Sequence, residues 1–117
     1  MQLPGEYEPP SGRLLLALTD TLVAGVVGLR NLGDGVCEVR RLYVRPQVRG
    51  QGVGRALMTT LTDEALKVGY CEVRLETLEV MREAQTLYRS LGFVDIPRYR
   101  PPTSEHDRTI SMGLKLA

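Results

Sequence analysis

Four things are scarce in this sequence, and each scarcity removes a class of function. Cysteine occurs twice, as Cys37 and Cys71, and histidine once, as His106. Two thiols without a CxxC spacing and one histidine among Pro101, Pro102, Ser104 and Asp107 form neither a metal-ligand set nor a disulfide framework. Both cysteines fall in apolar, strand-like segments, so both are expected to be reduced and buried as small hydrophobes. His106 reads as a loop residue. An excess of one charge is missing as well: 15 basic against 14 acidic side chains leave a net charge of +1. No global field therefore draws the chain to nucleic acid or to an anionic membrane. Long apolar runs are absent, and none approaches the ~20 residues of a membrane-spanning helix. The stretch Met1 to Pro10 is polar and proline-rich, with no basic region ahead of an apolar one. No secretory signal is expected from it, and a cytoplasmic location is expected.

What is present fits one soluble domain over residues 1–117, with residues 1–12 irregular. Hydrophobic residues make up 43% and charged residues 25% of the 117, ordinary values for a globular chain. Arg13 to Thr19 and Leu22 to Arg30 are apolar runs separated by the turn-prone Asp20-Thr21. Asn31 to Gly35 is a stronger turn, and Val36 to Val44 a third strand, giving an antiparallel meander. Strict alternation there puts Glu38, Arg40, Leu42 and Val44 on one face, and Cys37, Val39, Arg41 and Tyr43 on the other.

The period then changes. Val53, Leu57, Met58, Leu61, Ala65 and Val68 are spaced as one helix face, and Gly69 is a natural stop. Cys71, Val73, Leu75 and Thr77 alternate with Glu72, Arg74 and Glu76 as a strand covered on one face. Ala84, Leu87, Tyr88 and Leu91 return to helical spacing up to Gly92. Phe93 to Ile96 is a short strand, Pro97 to Asp107 a proline-rich loop, and Ile110 to Leu116 a last strand. The order β-β-β-α-β-α-β-β gives an α+β fold, a sheet with helices against it.

Between the third strand and the first helix lies Arg49-Gly50-Gln51-Gly52-Val53-Gly54-Arg55. Glycines let the backbone approach a ligand and turn its N–H groups inward, and a helix start adds unpaired donors and the positive end of its dipole. The guest such a loop holds is a phosphate; the plainer alternative is a turn that only connects two elements. No Gly-Lys-Ser/Thr follows, and the dinucleotide fingerprint fails because its last glycine position holds Arg55 or Leu57.

Arg49, Gly52 and Gly54, within Arg41 to Leu57, together with a second block from Ala84 to Phe93, resemble the signature regions of the GNAT superfamily of acetyl-CoA-dependent N-acetyltransferases. The resemblance extends from Arg13 to Leu116. It implies a mixed, mostly antiparallel sheet with a splayed V between Val36–Val44 and Cys71–Leu78. Acetyl-CoA would lie in that V as co-substrate, without a metal. Backbone groups near Leu42, Tyr43 and Val44 would bind its pantetheine and polarise the thioester carbonyl, and Arg49, Gly50, Gln51, Gly52, Val53, Gly54 and Arg55 would hold its pyrophosphate. Tyr88 matches the tyrosine that protonates the departing thiolate, and Glu38 a position where several members carry a general base. Each has a bland alternative: Tyr88 as core, Glu38 as a surface residue paired with Arg40.

The implied reaction is acetyl transfer to a primary amine of a small molecule or peptide through a tetrahedral intermediate. The competing reading is a catalytically silent acyl-CoA-binding regulatory module. Two departures from the family stand out. Met81 occupies a position where many members carry asparagine. Only Met1 to Gly12 precede the first strand, where members usually have a strand and one or two helices that build the acceptor pocket. Either the acceptor site is unusually open, or a second subunit or a further segment completes it. Apolar sheet surface left uncovered in this way predicts a homodimer.

Overall fold

The computed structural model describes Tyr7, Pro9, residues 11–19 and residues 22–116. Arg13–Leu18 (β1), Val23–Gly33 (β2) and Val36–Val44 (β3) form the expected antiparallel meander. The first turn expected, Asp20-Thr21, lies outside the described residues. The second is tighter than the sequence suggests, because β2 runs on to Gly33 and only Asp34 and Gly35, both at positive φ, make the turn. An Asp-Gly pair with two positive φ angles matches the right-handed twist of a two-residue hairpin.

Val53–Val68 (α1) and Glu72–Leu78 (β4) follow, then Arg82–Ser90 (α2), Val94–Ile96 (β5) and Thr109–Lys115 (β6). The six strands form one sheet in the order β1-β2-β3-β4-β6-β5. Only β3 and β4 pair in parallel, because α1 carries the chain across between them. Gly69 closes α1 by donating to the carbonyls of Ala65 and Leu66. Both helices bury their apolar stripes against one face of the sheet, with Leu57, Met58 and Leu61 of α1 and Tyr88 of α2 in a core with Val27, Leu29, Val39, Val73, Leu75, Phe93 and Met112. Each large apolar side chain buried there stabilises the fold by about 2 kcal/mol.

Strict alternation along β3 is broken. Between the pairs Val26↔Tyr43 and Gly28↔Arg40 the register shifts, with one residue more on β3 than on β2, and Arg41 stands at φ 59. This is a bulge, and one added residue swaps the faces of everything beyond it. Leu42 and Val44 therefore join Cys37 and Val39 on the helix side, rather than sharing a face with Glu38 and Arg40. The expectation for the cysteines is corrected in part: Cys37 is buried, but Cys71 is exposed. Cys71 sits one residue before β4, with its Sγ 3.4 Å from the Gly35 carbonyl of the β2–β3 turn.

The helix-free face carries two different surfaces. One is an apolar row across Leu16, Val26 and Tyr43, of which Leu16 and Tyr43 are half exposed. Tyr7, almost fully buried, lies over Gly28 beside it. Exposed apolar side chains also stand elsewhere, at Leu66, Val80 and Val94 among others. The other surface is charged and centres on Glu38, which is fully buried. Its Oε1 accepts from Arg30 Nε at 3.0 Å, Arg40 Nη1 at 3.3 Å and Arg100 Nη2 at 2.9 Å. Its Oε2 accepts from the Tyr99 hydroxyl at 2.6 Å and lies 2.8 Å from Arg100 Nη1. Burial pushes the carboxyl pKa up, but the hydrogen bonds from Arg100 and Tyr99 and the charges of Arg100 and Arg30 outweigh it and hold it at about 2.

A depressed carboxylate pKa means stability that is present above the unfolded value and lost as pH falls toward the folded one. For Glu38 that window runs from 4.5 down to about 2. The shift corresponds to about 3 kcal/mol in total, of which roughly 2 kcal/mol is lost between pH 6 and pH 3. Urea melts over this range should show a steep loss in the native protein and a shallower one in Glu38→Gln, which starts less stable. Parallel slopes would count against Glu38 as the source.

Candidate active site

The site begins where the sheet stops pairing. β3 and β4 share only Val36↔Glu72, Cys37↔Val73 and Glu38↔Arg74, and beyond that point they diverge. The V implied by the sequence is therefore present, with Glu38 at its apex. Farther along, the Arg45 N–H donates to the Ala24 carbonyl of β2. Because strand residues alternate in direction, Leu42 and Val44 turn their backbone groups away from β2, toward the opening. Tyr43 instead pairs with Val26, and its backbone faces β2. The Val44 carbonyl accepts from Arg49 Nε at 3.1 Å, and the Arg49 guanidinium lies 6.0 Å from the centre of the Tyr43 ring.

The glycine loop follows a short 3-10 turn, Pro46–Val48. Gly50 and Gly52 have φ of 84° and 82°, a left-handed backbone that side chains disfavour, and a Cβ at either would meet nothing within 4 Å. Conformation, rather than crowding, requires glycine here. Gly52 is the N-cap of α1, no side chain caps the helix, and its first turn holds no acidic residue. The first-turn N–H groups have no partner within the helix and face outward with the positive end of its dipole. At Gly54 a Cβ would make ordinary contacts, 3.4 Å from Leu87 Cδ2 of α2 and 3.7 Å from Val44 Cγ2, so a side chain there is accommodated.

This loop lines a groove of about 780 Å³ that runs between α1 and α2, bordered by Leu42, Val44, Arg49, Arg55, Arg82 and Tyr88. The open backbone, the uncapped helix start and three arginines fit a phosphorylated, extended ligand such as CoA. A second cleft of about 430 Å³ opens between β3, β4 and the β5–β6 loop, lined by Arg41, Glu76, Thr77, Arg100 and Asp107 among others. Leu42, Met81 and Tyr88 line both cavities, so the two meet there.

Tyr88 is 93% shielded, with its ring 6.0 Å from that of Phe93. Burial raises its pKa, so the phenol stays protonated near neutrality. Its hydroxyl makes no hydrogen bond among the described residues. The phenol is largely buried, and Tyr88 borders both cavities. Met81 is the N-cap of α2, half exposed beside the same junction.

Glu38 lies elsewhere. It does pair with Arg40, as the surface reading supposed, but it is buried, and four side chains already occupy its oxygens. The sequence reading did not anticipate the partners that matter most. Tyr99 and Arg100 come from the proline-rich loop, and Arg100 also bonds Glu76 at the edge of the second cleft. Periodicity has nothing to say about a loop, so neither partner was marked in the sequence.

Residues 10–95 match the family profile described as an acetyltransferase (GNAT) domain. An uncharacterised N-acetyltransferase of Schizosaccharomyces pombe is 38% identical over 100 residues, covering 83% of this chain and 61% of that protein. A GNAT-family acetyltransferase structure from Staphylococcus aureus superposes with a TM-score of 0.79 at 21% identity, over 91% of this chain and 69% of the other. A Bacillus subtilis acetyltransferase solved with CoA gives 0.78 at 20%, over 91% and 78%. Those two likenesses concern the fold, and the chain spans less than two thirds of the yeast protein. The profile match, the parted strands and the glycine loop agree: this chain belongs to the GNAT acetyltransferase family.

Proposed function

We propose that the chain transfers an acetyl group from acetyl-CoA to a primary amine. The observation that carries this reading is the meeting of the loop-lined groove and the second cleft at Tyr88. A donor held along the first and an acceptor held in the second would bring their reactive ends together there. When bound, acetyl-CoA supplies an activated thioester. The N–H groups of Gly52, Val53, Gly54 and Arg55, with Arg49, would hold its pyrophosphate, and Gly50 and Gln51 would shape the turn. Leu42 and Val44 would offer backbone groups to the pantetheine and to the carbonyl oxygen as it gains charge.

The neutral amine attacks the thioester carbon, the C–N bond forms and the C–S bond breaks. The nitrogen gives up one proton, and the sulfur leaves as CoA thiol with a proton from the Tyr88 hydroxyl, which is restored from solvent. Glu38 was the first candidate for the base. A carboxylate held at about 2 takes a proton poorly near neutrality, so its part is to anchor the β5–β6 loop. Glu76 is likewise bonded to Arg100, so a water in the acceptor cleft would receive the amine proton.

Gly54→Asp is expected to abolish acetyl-CoA binding in calorimetry while the protein stays folded, because the new carboxylate enters the phosphate site. Unchanged affinity in a folded variant would overturn the placement of the cofactor. Tyr88→Phe removes one oxygen and keeps the ring. Turnover should fall by ~10- to 1000-fold, with acetyl-CoA affinity within about threefold of native and an unshifted melting temperature. Native turnover with a lowered melting temperature is the pattern of a purely structural tyrosine. Release of CoA thiol across a panel of amines separates a transferase from a silent acyl-CoA-binding module.

A further inference from the structure

The charged side chains lining the 430 Å³ cleft balance in number, Arg41 and Arg100 against Glu76 and Asp107, but not in their pairing. Asp107 is satisfied by Arg98 at 3.2 Å and by the Thr103 and Thr109 amides. Glu76 is bound by Arg100, and Arg100 is shared with Glu38. Arg41 is the exception. Its Nε donates to the Tyr7 hydroxyl at 3.1 Å, a neutral partner, and no carboxylate lies within ion-pair distance of it among the described residues. Its backbone stands at φ 59 on the β3 bulge, a conformation L-residues disfavour, beside Leu42 at the junction of the two cavities. Arg41 is solvent-exposed, so water screens its charge. Its strained backbone and the Tyr7 contact nonetheless hold the guanidinium at the cleft, where an anionic group could pair with it.

We infer that Arg41 recognises a carboxylate on the acceptor, so that the acceptor is an amine of amino-acid size whose acid group is held at the bulge while its nitrogen reaches toward Tyr88. This rests on the transferase reading. A guanidinium whose Nε is already fixed by Tyr7 presents its two Nη groups as a fork, the geometry a carboxylate accepts in two parallel hydrogen bonds. A cleft of about 430 Å³ suits a guest of this size.

The test compares L-phenylalanine, L-methionine and L-aspartate with their α-carboxamides, which keep the shape and remove the α-carboxylate charge. The native protein should give kcat/KM about 10- to 100-fold higher for the acids. Calorimetry of the same pairs with the CoA-bound protein should give the same order in Kd. Arg41→Asn, which tolerates the left-handed backbone, should bring both ratios close to one, and Arg41→Lys should recover part of them. A merely structural Arg41 would lower acid and amide alike and leave the ratios unmoved, which would overturn the assignment. Native ratios at or below one would overturn it too while acetyl-CoA still binds. Loss of acetyl-CoA binding by the native protein would instead remove the transferase reading and this inference together.

Discussion

Everything proposed for this protein depends on three pairs of residues. β3 and β4 are hydrogen-bonded neighbours only through Glu38 and Arg74, and then they part. Backbone groups left without a strand partner are costly unless something else satisfies them. The unpaired edges of a V are therefore both a liability and a binding surface. The glycine loop stands at one side of the opening and the β5–β6 loop at the other, so the parting creates the two cavities and sets where they meet.

The apex of the V is an electrostatic joint. Glu38 is desolvated completely, and a lone buried carboxylate could not persist. It persists because Arg30 and Arg40 reach it from its own hairpin and Tyr99 and Arg100 from a loop about 60 residues later. A carboxylate so engaged organises the site and leaves little basicity for chemistry. The same geometry that disfavours Glu38 as a base makes it the tether of the loop that walls the second cleft. All four partners share one carboxylate, so removing one alters the strength of the others' contacts, and the group should respond as a unit rather than additively.

Most of the fold was legible in the sequence because its signals were periodic. The helix from Val53 to Val68, its stop at Gly69 and the order of eight elements follow from spacing and punctuation alone. The loop from Arg49 to Arg55 was legible for a different reason: glycines at Gly50 and Gly52 are required by backbone conformation, and conformation is written in residue type. What alternation concealed was the bulge at Arg41, since one inserted residue reverses every later side chain and leaves no mark in composition. The long-range partners of Glu38 were equally hidden, because Tyr99 and Arg100 sit in a segment without a period. Cys71 was misplaced for a smaller reason, an edge position one residue before its strand begins.

The central claim is that the opening between β3 and β4, with the glycine loop at its mouth, is where CoA lies. Amide hydrogen exchange followed by NMR during titration with CoA tests this residue by residue. Slowed exchange is expected at Leu42 and Val44 and at Gly52, Val53, Gly54 and Arg55, with Tyr43, already bonded toward β2, little changed. Protection that appeared along β5 and β6 while those amides kept their native rates would contradict it.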